Sequence, residues 1–119
     1  MAALARDFAG KADFVAVYVS EAHAQDEWAL YSDVCFDQPT TLEARVDIAR
    51  QMAARLHGDS IPLVVDAMDN AAERRFAAWP ERLYAIAPDG NIGFKGELGP
   101  DGYLPEQVRE YLVGLFGTP

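Results

Sequence analysis

Apolar residues along the chain gather in runs whose period changes from segment to segment. Leu4 and Phe8 stand four apart ahead of Gly10, the spacing of one helix face followed by a residue suited to a helix end. Phe14-Val15-Ala16-Val17-Tyr18-Val19 has no polar alternation, which predicts a parallel strand covered on both faces. Ser20 to Pro39 is polar and mixed, with one helical turn expected around Glu27 to Leu30. The helical period returns at Thr40. Thr40 and Glu43 have capping-box spacing, Leu42, Val46, Ala49, Ala53 and Leu56 share a face, and Gly58 is placed to end the helix.

Ile61 to Asp66 reads as a second buried strand, and Asn70 to Trp79 as a short helix stopped by Pro80. Arg82 to Ala87 and Asn91 to Glu97 flank Pro88-Asp89-Gly90, which predicts a hairpin. The last helix is expected from Pro105, a good first helical residue. Glu106 then lies at the positive end of its dipole, Val108, Leu112 and Leu115 point inward, and Gly117 ends it. The order is α-β-α-β-α-β-β-α, an α/β layered sandwich with a mixed sheet, in one domain over residues 1–119. No repeat, linker or low-complexity stretch interrupts it. Gly93, Gly96, Gly99 and Gly102 recur every third residue, and read as hairpin and turn positions. A phosphate cradle would follow a strand and open a helix.

The composition agrees with a folded domain: 119 residues, 50% hydrophobic, enough to bury a core without metals or disulfides. A formal net charge of −9 repels phosphate and disfavours nucleic acid as a partner. The longest apolar run, Phe14 to Val19, is too short to span a bilayer, and the N-terminal residues lack a signal-peptide pattern. One cysteine, Cys35, excludes an internal disulfide framework and fits a reducing compartment. The expectation is a soluble, cytoplasmic protein.

In open α/β sheets, ligands sit beyond the carboxyl ends of the parallel strands. Two segments leave such ends: Ser20-Glu21-Ala22-His23 after the first strand, and Asp66-Ala67-Met68-Asp69-Asn70 after the second. There Glu21 and His23 could pair as acid and base, the carboxylate holding the imidazole; the alternative is a pair of solvated loop residues. A metal on His23, Asp66 and Asp69 has no characteristic spacing, and none is expected. His57, in the last turn of its helix, answers the dipole. Cys35 lies between Asp33 and Asp37, acids that discourage a thiolate, and no Cys-x-x-Cys is present. Trp28, Trp79, Phe76 and Tyr84 read as core and rim packing.

Ala12-Asp13-Phe14, Tyr18, Glu21-Ala22-His23, Asp26 and Trp28 together resemble the iodothyronine deiodinase family. So do Leu42-Glu43-x-Arg45, Pro62-x-Val64-Val65-Asp66 with Met68 and Asn70, and the block Pro80-Glu81-Arg82-Leu83-Tyr84. Gly99-Pro100, Tyr103, Pro105-Glu106 and Val108-Arg109 close a similarity that runs in register from Leu4 to Leu112. The resemblance implies a thioredoxin-like fold. It also implies reductive removal of iodine by a selenocysteine or cysteine that a thiol reductant recycles, with no other cofactor. Glu21 and His23 match the family's Glu-Ala-His segment, where the histidine serves as proton donor or polar relay. Arg82 matches the arginine that fixes the substrate's anionic or phenolic end. The vertebrate members carry a histidine where this chain has Pro39, a departure that bears on substrate choice.

The resemblance further implies that the chalcogen, and the core strand that presents it, lie ahead of Met1. A selenocysteine codon read as a stop would give such a start. That strand belongs between Phe14–Val19 and Arg82–Ala87, so the expectation is a truncated domain, inactive by itself. Its partner would be a small haloaromatic or thiol, with no nucleic acid and no membrane, and its open sheet edges would favour a homodimer. The competing reading is a non-catalytic thioredoxin-like binding module.

Overall fold

The structure, a computed structural model, describes residues 1–30, 35–56 and 61–119, with the backbone alone for Leu56. Its elements follow the expected order: α1 (Ala2–Asp7), β1 (Ala16–Tyr18), α2 (Leu42–Leu56), β2 (Leu63–Val65), α3 (Ala71–Phe76), β3 (Tyr84–Ile86), β4 (Ile92–Lys95) and α4 (Pro105–Phe116). The chain is α/β, and both kinds of strand pairing occur. β1 and β2 pair in parallel, with Val17 opposite Val64, while β3 and β4 form the antiparallel hairpin. Among the described residues these are two separate two-stranded ladders.

One core joins α1, α4 and the hairpin. Leu4, Phe8, Val108 and Leu112 are buried together, with Phe14, Leu83 and Phe94 packed against them. The Leu4/Phe8 spacing thus does what its period implies. An Asp7–Arg109 ion pair at 2.5 Å ties the same two helices at the surface. On the other side of the molecule α2 packs on β2, burying Ile48 and Ala49.

Several expectations are corrected. The strands are shorter than their apolar runs, and they are not covered on both faces: Val15, Val17 and Val64 are each about half exposed. In the hairpin Ile86 and Ile92, cross-strand partners, are equally bare. Helices cover one side of each small ladder, and periodicity cannot say whether a second layer exists. The turn Glu27–Leu30 is not helical; it is a loop in which the Glu27 N–H donates to the Ala24 carbonyl. Helix α2 is capped by Thr41, whose hydroxyl accepts from the Ala44 N–H at 3.2 Å, so the cap lies one residue beyond Thr40. Leu42 and Leu115 are half exposed, while Arg45 and Ile48 take the buried places on α2. Helix α3 ends at Ala77, left-handed at φ 46, three residues ahead of the expected stop at Pro80. The side chain of Leu56, and His57, Gly58 and Asp33, lie outside the described residues.

The glycines do mark turns and close approaches. Gly90 turns the hairpin at φ +84, and none of the third-residue set opens a helix. A Cβ at Gly102 would lie 2.5 Å from the Leu98 carbonyl oxygen and 2.6 Å from Glu97 Cβ, so backbone must shift to admit one. Gly102→Ala is therefore expected to cost about 1–3 kcal/mol as overpacking does. Urea unfolding checks this, and an unchanged midpoint would contradict it.

Candidate functional site

The parallel register sets the geometry. Because Tyr18 lies opposite Val65, the chains leaving β1 and β2 emerge on one rim, and the Asp66 N–H donates to the Tyr18 carbonyl at 2.8 Å. Asp66, only 5% exposed, organises that rim. Its carboxylate accepts from the backbone N–H groups of Ala67, Ala72 and Glu73 at 2.9, 3.0 and 2.8 Å, and so caps α3. Burial works to raise its pKa. The three N–H groups and the nearby Arg45 charge outweigh burial and hold it below the ordinary aspartate range. Arg45, 2% exposed, reaches across from α2 and donates to the carbonyls of Asp66 and Ala67 at 3.2 and 2.8 Å. Glu73 closes the circuit. Its carboxylate accepts from both the backbone N–H and the hydroxyl of Ser20, binding α3 to the loop after β1.

Glu21 follows in that loop. It is half-buried, its Oε1 has no partner, and burial pushes its carboxyl up in spite of the His23 charge that lowers it. With Ser20, Gln38, Arg45, Asn70 and Trp79 it lines a recess of about 360 Å³. Arg45 Nε and Asn70 Oδ1 are likewise buried without partners. His23 is exposed beside this recess rather than part of its lining. Its Nδ1 lies 3.2 Å from the Trp28 carbonyl, and its ring meets the Trp28 edge at 5.1 Å between centroids. A carbonyl can only accept, so Nδ1 carries the proton in this contact.

Arg82 precedes β3, just after the cis Trp79–Pro80 peptide, and does not line the recess either. The salt bridge at the hairpin base that would make it purely structural is absent among the described residues. Its Nε is buried with no acceptor. Cys35 donates to the Leu30 carbonyl at 3.9 Å. No three His, Cys, Asp or Glu side chains among the described residues are gathered as a metal would require, and no described helix is long and apolar enough to cross a membrane. Of the aromatics, Phe76 and Tyr84 meet edge to face at 5.1 Å, while Trp28 is 65% exposed and does not serve as core.

The family model for iodothyronine deiodinase matches residues 1–116. The chain belongs to the iodothyronine deiodinase family. Type I iodothyronine deiodinase of Xenopus laevis is 41% identical over 109 residues, covering 92% of this chain and 42% of that protein. Thyroxine 5-deiodinase of Gallus gallus is 39% identical over 111 residues, with the same coverage, and type II iodothyronine deiodinase of Petromyzon marinus 38% over 113. The chain spans about two-fifths of the length of these relatives.

In this deiodinase-family chain, sequence reasoning passed over Gln38, Arg45, Asn70 and Glu73, all of them part of the rim. Arg45 and Asn70 stood within the matching blocks, but only as landmarks of the resemblance. A charged residue on an amphipathic helix reads as solvent-facing. Only the carbonyls of a distant loop make Arg45 a buried clamp.

Proposed function

We propose that this chain is the proton-donating and substrate-holding part of a deiodinase-type oxidoreductase on a thioredoxin-like scaffold, one that strips a halogen reductively from an aromatic ring. Glu21 carries the reading: a half-buried carboxyl at the end of a parallel strand, with an unpartnered oxygen and a protonated form favoured by burial. Reductive dehalogenation asks the protein for a proton donor beside a cleft. Deiodinase chemistry also needs a selenol or thiol. The only cysteine here is Cys35, so we assign that nucleophile to a residue outside these 119. The two separate ladders favour a further strand between β1 and β3 to present it.

When present, the chalcogenolate bonds to the iodine, and the carbon–iodine electron pair stays with the ring carbon. Glu21 delivers the proton that this carbon takes up, and His23, whose charge acts on Glu21, tunes the donor and relays a replacement from solvent. Arg82, whose Nε lacks an acceptor, is assigned the carboxylate or phenolate end of the substrate, because a guanidinium fork suits two oxygens. Two equivalents of a thiol then return the chalcogenyl iodide to its reduced form, releasing iodide and a disulfide. That recycling suits a reducing compartment such as the cytoplasm. With Pro39 where vertebrate relatives carry histidine, the substrate is a haloaromatic of a class wider than thyroid hormone.

The test joins the chain to an added N-terminal segment that carries a cysteine or selenocysteine and measures iodide release with a dithiol. Glu21→Gln is expected to lower kcat about a hundredfold, the usual worth of a positioned acid. Arg82→Lys is expected to raise KM with little change in kcat, because it keeps the charge and loses the fork. Turnover indifferent to Glu21→Gln would end the reading. The second reading, a non-catalytic interaction module, is favoured by the bare Val15, Val17 and Val64 face. A joined protein that unfolds cooperatively but releases no iodide would support it.

A further inference from the structure

We propose that Gln38 is a positioning residue for Glu21: its side-chain amide grips the Glu21 backbone at both ends of the residue and so fixes where the Glu21 carboxyl meets the recess. The inference rests on the reading of Glu21 as the proton donor. The Glu21 N–H donates to Gln38 Oε1 at 3.0 Å, and Gln38 Nε2 donates to the Glu21 carbonyl at 3.0 Å. A carboxamide thus does what a neighbouring strand's backbone would do, one acceptor and one donor on the same residue. The grip comes from 17 residues further along the chain.

Gln38 is itself held. Its N–H donates to Asp26 Oδ1 at 2.8 Å, its Nε2 also donates to Glu27 Oε2 at 3.3 Å, and the next residue, Pro39, is buried. The clamp therefore fixes the start of the β1–α2 connection against its end, just where β1 has ended and the sheet no longer fixes the chain. Ser20, on the other side, is fixed by Glu73. Between these two anchors Glu21 lines the recess together with Gln38, Arg45, Asn70 and Trp79. The charge that acts on its carboxyl is that of His23 on its own loop; Glu27 beside Gln38 and Arg45 from α2 line the same recess, and Glu73 from α3 holds the neighbouring Ser20.

The experiment uses the 119-residue chain alone and two NMR readouts, hydrogen exchange at the Glu21 amide and the pH titration of the Glu21 carboxyl carbon. Neither needs turnover, so failure here leaves the joined-enzyme assay to judge Glu21 separately. In Gln38→Ala the Glu21 amide is expected to exchange about tenfold faster or more, as loss of one hydrogen bond allows. Its carboxyl is expected to titrate lower than in the wild type, as the loop opens to water. Gln38→Glu keeps the acceptor but adds a negative charge. The amide should stay protected and the carboxyl should titrate higher, the opposite sign. The added charge raises the titration whatever Gln38 does, so the amide decides: without the clamp it would exchange alike in both variants. Unchanged exchange and titration in Gln38→Ala would overturn the proposal. Should alanine unfold the chain, an unprotected Glu21 amide in Gln38→Glu would overturn it just as well, and a protected one with a raised titration would sustain it.

Discussion

Phe8→Ala is expected to remove about 3–5 kcal/mol of stability, the cost of emptying a buried aromatic site. For a chain of this size that lowers the thermal midpoint by roughly 10–20 °C. Phe8 is 0% exposed and sits at the end of a six-residue helix. A helix that short has no stability of its own in water. It is held because Leu4 and Phe8 pack against Val108 and Leu112 of α4, with Phe14, Leu83 and Phe94 around them. Truncating Phe8 opens a void where three parts of the chain meet and leaves Leu4 as the buried anchor of α1. The Asp7–Arg109 pair cannot compensate. Both side chains are 40% exposed, and such pairs are worth about 0.2–1 kcal/mol. Arg109→Ala should therefore move the midpoint by no more than a few degrees, and Phe8→Leu by less than the alanine change, since it keeps most of the volume. Calorimetry on the three variants orders them. An alanine variant as stable as the Arg109 variant would mean that the core lies elsewhere.

The element order was legible because its signals are local. Leu4 and Phe8 show their face by spacing alone, Pro88-Asp89-Gly90 turns whatever the rest of the chain does, and Pro105 starts a helix by its own geometry. What was not legible depends on distant neighbours. Nothing within Phe14–Val19 says whether a second layer lies over Val17, and none does among the described residues. Thr40 and Thr41 offer the same hydroxyl, and only the fold shows that Thr41 is the one that accepts from the Ala44 N–H.

The site divides the same way. Glu21 and His23 were marked by their place after a strand and by the family blocks, but the carboxylate does not hold the imidazole as expected: His23 Nδ1 faces the Trp28 carbonyl, and Glu21 Oε1 has no partner. The separation of His23 and Arg82 from the recess was not foreseeable from spacing, because a bend of the loop toward Trp28 takes the imidazole outward. The clamp by Gln38 joins two polar stretches that carry no period, and pairings of that kind leave no trace in a single sequence.

Asp66→Asn is expected to cost about 2–4 kcal/mol at neutral pH, because an ionised acceptor that serves three backbone donors becomes an amide that sets its own N–H groups against one of them. The pH dependence identifies the carboxylate as the cause. Its folded pKa lies below the ordinary value near 3.9, so the unfolded chain binds this proton first as pH falls. The stabilisation is complete above the unfolded value. It is lost as pH drops from there through the folded value, below which both states are protonated. The asparagine variant has no such group. Its stability deficit relative to the wild type should hold steady from pH 7 to about 5 and then shrink as the medium becomes more acid. Urea unfolding from pH 7 down to the acid limit of folding measures this difference directly. The same substitution should speed exchange of the Ala72 and Glu73 amides before it affects the Leu112 amide in α4, since the carboxylate caps α3 and lies apart from the α1–α4 core. Because Glu73 in turn holds Ser20, loosening α3 should also release the start of the Glu21 loop. A deficit that stays constant across the whole pH range would show that Asp66 acts through its shape alone, and the charged cap would have to be abandoned as the device that holds the two strand ends together.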